Sequence, residues 1–452
     1  MSGLTRQTAG FVASLDPDAI PARAYEAARM GIADCIATMV AGANEHPVTI
    51  VRDLVSDNTA GDAAPEIPSG RPLSALDAAL VNGVAGHVLD YDDVAIDGHP
   101  SAALVPAILA EGWTVGASGR DALAAYVAGY ELWAALKERE PGALHERGFH
   151  PTAIWGTLSA AAACARLHRL NAEKTTHAIG VAASLAAGLV ANFGTMTKSL
   201  HAGRTAQAGV LAARLAKHGY TASPDVLEHR TGFLLAHSPS GNPDLSEDDL
   251  RLGREWRLEK TGINIKRYPA CYCTHRCIDA MIDLAETHDL KPDEVQEIRV
   301  EIGETQQLIL RNHAPKTGLE AKFSIEFAMA SALIARQVGL SQLTDAFVQR
   351  PDVAQAMGKV GSRTMPSAPG QSFAPADIVS VRLRSGREVV HAPVSNAKGS
   401  WENPMSPAEF RTKFMDCTEA SLGSNRATSL FETLMSLERA PSLRDLPFGR
   451  VH

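Results

Sequence analysis

Residues 74–100 read SALDAALVNGVAGHVLDYDDVAIDGHP, and this stretch decides the fold class. From Ser74 to Leu89 the apolar and small residues follow helical spacing. The pattern then breaks: the fourteen positions from His87 to Pro100 hold four aspartates and two histidines. Asp and His suit a buried helix poorly and compete with the backbone for hydrogen bonds. Six of them at a helix end must be balanced by solvent or by chemistry. One reading is a solvated acidic loop; the other is a site fed by a helical scaffold.

Outward from this segment the helical periodicity continues on both sides. It occupies Pro21–Ala43 before it, and Ala102–Val115, Asp121–Lys137, Ala153–Leu167, Ala172–Ala187, Thr205–Lys217 and Asp225–His229 after it. The small residues of SAAAACARL and GVAASLAAGL let helices approach closely. No alternating strand pattern occurs before about residue 290, so the first 250 residues read as all-helical. The polar stretch SPSGNPDLSEDDLRLG closes this block. Beyond it, Val295–Gly303 and Ile378–Val394 read as strands, the latter a hairpin about Ser385-Gly386. Helical patterns at His275–Thr287, Ala321–Arg336 and Val353–Val360 lie between them, and helix returns at Pro407–Met415 and Ala427–Leu437. The expected fold is mainly α: a large all-helical domain over residues 1–259, completed by 395–452, and a smaller α+β lid domain over 260–394.

Composition sets outer limits. With 452 residues, 45% hydrophobic and 21% charged, the chain is an ordinary globular protein large enough for two or three domains. A net charge of −8 argues against nucleic-acid binding, and 5% aromatic content argues against a stacking platform for bases. Asp16 and Asp18 stand where a signal peptide would carry its apolar core, and Ala178–Met196 is too rich in Gly, Ser and Ala for a membrane span. Six cysteines without a secretory signal read as reduced thiols in a cytoplasm.

Four further clusters set polar groups in apolar surroundings. GFHPTAIWGT (148–157) looks like a helix start, with His150 or Thr152 near a positive helix end that suits an anion, or simply capping it. In GTMTKSLHAGR (194–204), Lys198, His201 and Arg204 are three residues apart and would share a helix face; Lys198 either snorkels to solvent or serves a pocket. KRYPACYCTHRC (266–277) carries Lys266 and His275 with three cysteines, but C-x-C-x3-C is neither a zinc-ribbon nor a ferredoxin spacing. EAKFSIEF (320–327) opens a helix from which Lys322 and Ser324 can reach a ligand.

Taken in order, the five segments resemble the MmgE/PrpD superfamily, which includes 2-methylcitrate dehydratase, cis-aconitate decarboxylase and iminodisuccinate epimerase. The motifs are H-x-x-D-[FY]-D-D with a following His-Pro, G-[FW]-H-x-T, G-T-x-T-K-x-x-H-x-G, Y-P-x-C-x-x-x-H and A-K-F-S. The resemblance implies a helical domain with an α+β lid, a homodimer, and no metal or organic cofactor. It also implies catalytic roles for Asp90, His99, His150, Lys198 and His275. Asp93, Thr152, His201, Arg204, Lys266, Lys322 and Ser324 are the accompanying substrate-binding candidates.

The reactions of that family form a carbanion or aci-carboxylate beside a carboxylate. Such chemistry needs a tuned acid–base group and cations for the developing charge. The expected substrate is therefore a small di- or tricarboxylate, and the expected arrangement sets Lys198 opposite an Asp90–His99 pair. Val94 and Phe327 stand where the decarboxylase pattern has Thr and Tyr, which favours a dehydratase or epimerase, with a decarboxylase or a non-catalytic binder as alternatives. Asp90-Tyr91-Asp92-Asp93 also matches the D-x-D-D of proton-initiated terpene cyclases, with Asp92, Asp93 and Asp97 free for magnesium, but the low aromatic content counts against that.

Overall fold

A computed structural model describes residues 3–58, 63–366 and 373–448. The fold is mainly α. The chain divides into two compact units: residues 1–263 with 406–452, and residues 264–405. Periodicity put the second segment at 260–394.

The first unit contains the helices α1 (Leu4–Ser14), α2 (Ala22–Gly42), α3 (His46–Asp53), α4 (Ala75–Val88), α5 (Pro100–Val115), α6 (Gly119–Arg139), α7 (Pro151–Leu167), α8 (Ala172–Ala183) and α9 (Thr197–Lys217). Helices Pro407–Leu422 and Ser424–Met435 complete it. Their ends follow local rules. Ser74 caps α4 by accepting from Asp77 N, Ser118 and Asp121 form a capping box on α6, and Pro100 and Pro151 occupy first turns. In α5 every residue from Pro100 to Gly112 is buried, so this helix lies inside the unit. α4 and α9 cross at a pair of glycines: a Cβ on Gly203 would stand 2.4 Å from Leu80 O, and one on Gly83 2.7 Å from Gly203 Cα. That crossing has no room for a side chain, and it brings the last turn of α4 near the first turn of α9.

Two expectations for this unit are corrected. Residues 225–229 form a turn, closed by His229 N on Asp225 O at 2.8 Å, and no helix follows until Phe233–His237. Two short strands, β1 (Ala64–Pro65) and β2 (Pro72–Leu73), pair before residue 250; at two residues each they are too brief to leave an alternating pattern. The polar stretch 238–253 lies within the unit. Arg139 of α6 grips it, donating to Asp244 Oδ2 (2.6 Å), Ser246 O (3.1 Å) and Asp248 O (3.0 Å).

The second unit contains a four-stranded sheet in the order β4-β3-β5-β6: β3 (Val295–Gly303), β4 (Val360–Met365), β5 (Ile378–Leu383) and β6 (Glu388–Val390). β3 pairs parallel to β4 and antiparallel to β5, and helices His275–Thr287 and Ile325–Ala335 pack together beside the sheet. The β5–β6 hairpin turns at Ser385-Gly386, where Gly386 has φ 87°. The expected helix Val353–Val360 ends earlier, as Pro351–Met357, and Val360 begins the edge strand β4. VGSRTM lacks alternation because an edge strand facing solvent needs little apolar surface. Among the described residues no helix is long and apolar enough to cross a membrane.

Candidate active site

The end of α4 and the loop after it build the centre of the first unit's polar cluster. Asp90 adopts the left-handed conformation (φ 52°), which an Asp side chain tolerates better than most, and so ends the helix. Ile96 and Asp97 are also left-handed (φ 50° and 62°) and form a tight turn, with Ala95 and Gly98 exchanging two backbone hydrogen bonds of 3.0 Å. A β-branched residue resists that conformation; Trp133 Nε1 holds it by donating to Ile96 O at 3.2 Å. A Cβ on Gly98 would meet Trp133 at 2.7 Å and Thr152 N at 3.1 Å, so glycine lets the loop lie against α6 and α7.

The side chains form one connected network. His87, in the last turn of α4, points Nδ1 at both Asp92 oxygens, 3.0 Å from each. His99 Nδ1 lies 3.0 Å from Asp92 Oδ2 and 3.0 Å from Asp93 O. On its other edge, His99 Nε2 is 3.8 Å from Asp90 Oδ1, which also accepts from Lys198 Nζ at 2.8 Å. Lys198 lies 5.3 Å from the centre of the Phe193 ring, and His150 packs edge-on against the same ring. His150 Nδ1 and His201 Nδ1 are 3.1 Å apart, so one donates and the other accepts. All of these residues are buried.

Burial governs their charge. It holds His87 down at about 4 against the opposing pull of Asp92, and it holds His201 at about 4, reinforced by His87 and Lys198. His150 is depressed well below the usual imidazole range, by burial and then by His87 and Lys198. Burial opposes ionisation of Asp92 too, but His87 and His99 outweigh it and hold the carboxyl well below its ordinary value. Asp93 goes the other way: burial pushes it well above the carboxylate range, and Asp34 and Asp92 add to the rise. At neutral pH His87, His150 and His201 are therefore neutral and Asp92 is ionised, while Asp93 holds its proton more tightly than an ordinary carboxyl does.

The expected residues divide into groups. Asp90, His99, His150, Lys198 and His201 come together. Thr152 joins through its hydroxyl, which accepts from His99 N at 3.1 Å and ties the loop to α7. His150 is the N-cap residue of α7 but makes no side-chain cap, which leaves its ring to the cluster. Asp93 reaches the cluster through its carbonyl, while its carboxylate has Ser101, Asp34 and Lys413 for neighbours. Lys198 does not stand opposite Asp90; the two are directly paired. Arg204 is a correction: it is exposed and bonds Gln207. Successive steps of three residues each fall about 60° short of a full turn, so a residue six along lies about 120° off the Lys198 face.

The remaining candidates lie in the second unit. His275, fully buried, lies 3.2 Å from Ala270 O through Nε2 and sits between the rings of Tyr268 and Tyr272. Lys266 and Lys322 are buried. Ser324 caps the helix Ile325–Ala335 by accepting from Phe327 N at 3.1 Å, which is the plain helix-start role. Phe327 belongs to an apolar core with Ala330, Val348 and Val353. Its missing hydroxyl therefore removes no ligand-binding group, and half of the sequence argument against decarboxylation falls.

Donor atoms of His87, Asp90, Asp92 and His99 all lie within 4.8 Å of one another, a set of the kind that holds zinc. The fit is poor. Asp92 already faces two imidazole nitrogens and Asp90 an ammonium, so a cation would have to displace Lys198 and strip protons from the rings. Cys277 Sγ lies 3.6 Å from Asp377 Oδ2, and among the described residues no cysteine joins a comparable donor group.

Sequence reading missed three participants. His87 opens the H-x-x-D motif but reads as the end of an apolar helix, and Asp92 reads as one of several loop acids. Lys413 occupies an apolar stripe of the helix Pro407–Leu422 with Phe410, Phe414 and Cys417, and that misfit was the available signal. It pairs with Asp34 Oδ1 at 2.5 Å and donates to Tyr91 O at 2.9 Å, anchoring the loop from behind.

Comparison with known proteins adds an independent observation. The MmgE/PrpD N-terminal domain matches residues 6–246 and the MmgE/PrpD C-terminal domain residues 268–438. A cis-aconitate decarboxylase of Mus musculus is 28% identical over 410 residues, covering 87% of this chain and 81% of the relative. One from Homo sapiens is 29% identical over 377 residues (80% and 76%), and one from Aspergillus terreus 26% over 386 residues (80% and 78%).

Proposed function

Because the chain belongs to the MmgE/PrpD family, we propose that it is a lyase that decarboxylates a small unsaturated tricarboxylate of the cis-aconitate type, without a metal or organic cofactor. The relatives named above favour this over the dehydratase and epimerase readings. The observation that carries it is the buried Asp90–Lys198 pair with His99 Nε2 3.8 Å from the shared oxygen.

Decarboxylation needs one proton for each carbon dioxide released, because the electron pair left by the departing carboxylate ends in a C–H bond. Lys198 and His99 are the groups we assign to holding and delivering that proton, with Asp90 passing it between them. His150 and His201 share one hydrogen between their Nδ1 atoms, so of the neutral pair the ring that accepts there has an Nε2–H to donate to a remaining carboxylate, and a carboxylate bound beside both favours protonation of the other. Burial favours the step further, since a leaving carboxylate loses charge as neutral carbon dioxide and so prefers a dry surrounding. Thr152 and Asp93 act behind this layer, through His99. In the second unit we retain His275 as a participant in turnover and Lys266 and Lys322 as carboxylate-binding groups. The same reading makes the protein a cytoplasmic homodimer.

One observation favours a second reading. Val94, half-buried in the site loop, supplies no hydroxyl where the decarboxylase pattern has Thr. Dehydration or epimerisation of a related hydroxy- or imino-acid uses the same acid–base groups. The test is incubation with cis-aconitate, citrate, 2-methylcitrate and iminodisuccinate in deuterium oxide, followed by NMR. The expected result is carbon dioxide release from cis-aconitate with one deuterium placed on carbon. Turnover of only the hydroxy- or imino-acids would replace the first reading by the second.

A further inference from the structure

We propose that Asp92 is a positioning residue which, held from its far side by His87, keeps the His99 proton on Nδ1 and so makes Nε2 the nitrogen that exchanges protons with substrate. The inference rests on the reading of His99 as an acid–base group.

The geometry leaves little choice of tautomer. His99 Nδ1 faces two groups at 3.0 Å, the Asp92 carboxylate and the Asp93 carbonyl, and neither carries a hydrogen to donate. A neutral His99 must therefore carry its hydrogen on Nδ1. The lone pair is then on Nε2, which points toward Asp90 and its partner Lys198. An ionised acid behind an imidazole is the arrangement that orients a catalytic histidine and stabilises its cation in hydrolytic triads.

His87 completes the device. Its Nδ1 is 3.0 Å from both Asp92 oxygens, so the carboxylate cannot rotate away from His99 without losing a buried hydrogen bond. Burial keeps His87 neutral, so it holds Asp92 without cancelling its charge. The groups facing His99 include Asp90, Asp92, the Asp93 carbonyl, His87, His150 at 6.4 Å between ring centres, and Lys198 through Asp90. Proton bookkeeping is simple. Nε2 takes a proton from solvent to form the imidazolium, which Asp92 stabilises, and then gives that proton to the substrate carbanion; the Nδ1 hydrogen never moves.

Nitrogen-15 NMR of histidine-labelled wild-type protein reads the tautomer without any turnover, with His99 assigned by its loss in His99→Gln. The expected spectrum has the neutral His99 protonated on Nδ1; protonation on Nε2 overturns the proposal. Asp92→Asn keeps the volume but removes the charge and turns one acceptor into a donor. Its kcat should fall by roughly 10²-fold or more with KM changed less than about threefold; a kcat within threefold of wild type would also overturn it. If that variant does not fold, the wild-type spectrum decides alone. Because the spectrum needs no substrate, failure of the substrate panel and failure of this proposal are separate results.

Discussion

At the scale of single residues, the cluster holds seven titratable side chains, His87, Asp90, Asp92, His99, His150, Lys198 and His201, and burial discharges three of them. Sequence reading expects cations for the developing charge, but His87, His150 and His201 are neutral and Arg204 lies on the surface. Lys198 and Asp90 carry opposite charges at 2.8 Å, and each limits the desolvation cost of the other. Lys198→Met should therefore lower kcat by at least about 10²-fold and also lower unfolding free energy by roughly 3–5 kcal/mol, because Asp90 stays buried without its ammonium. Urea denaturation alongside steady-state kinetics checks both; wild-type stability would show that the pair is not a buried ion pair in solution. A second consequence concerns pH. An anionic substrate beside His150 and His201 favours their protonated forms, so binding should take up protons. Affinity should weaken as pH rises through the raised values in the complex. Calorimetry in buffers of different ionisation enthalpy measures the uptake, and a proton count of zero at pH 7 would remove this role for the two histidines.

At the scale of elements, two contacts set where those residues stand. The glycine crossing of α4 and α9 brings the turn that carries His87 near the turn that carries Lys198. A methyl at 203 would press on Leu80 O, a backbone atom that cannot swing aside. Gly203→Ala should cost about 1–3 kcal/mol through overpacking and lower kcat by spreading the two helices. Equal stability by chemical denaturation and unchanged kcat would show that the crossing has slack. The second contact is Lys413, which reaches from near the end of the chain to Asp34 on α2 and to the carbonyl of Tyr91. Lys413→Met fits the apolar stripe but strands Asp34, whose side chain is 1% exposed. A loss of roughly 3–5 kcal/mol is expected, with a fall in kcat as the 90–93 loop loosens.

At the scale of the molecule, a mainly α first unit carries the Asp, His and Lys cluster, and a mixed second unit carries His275, Lys266 and Lys322. The division matters for experiments because loss of function can originate in either unit. His275→Ala should reduce turnover at least about 10²-fold while leaving the melting transition of the first unit unchanged. Sedimentation of the active protein should give one species at twice the chain mass. A fully active monomer would remove the homodimer from the proposal.

Helical periodicity alone settled the mainly α class and most helix positions, because an apolar stripe repeats along each helix and is written locally. The helix at His275–Thr287 falls where its spacing predicts, and the ends of α4, α5 and α7 follow from residues next to them. The motifs likewise marked Asp90, His99, His150 and Lys198 as unlike their surroundings. Pairing was not legible. That Lys198 meets Asp90, that Asp92 lies between two histidines, and that Lys413 reaches Tyr91 are contacts across 108, 7 and 5, and 322 positions. The short ones depend on a loop path set by left-handed residues, and the long ones on how helices cross. Charge state was hidden for the same reason, since an imidazole is neutral or cationic according to what buries it. Only the tertiary structure decides that, and it moved Arg204 out of the cluster, Phe327 into a core and His87, His150 and His201 to their neutral forms.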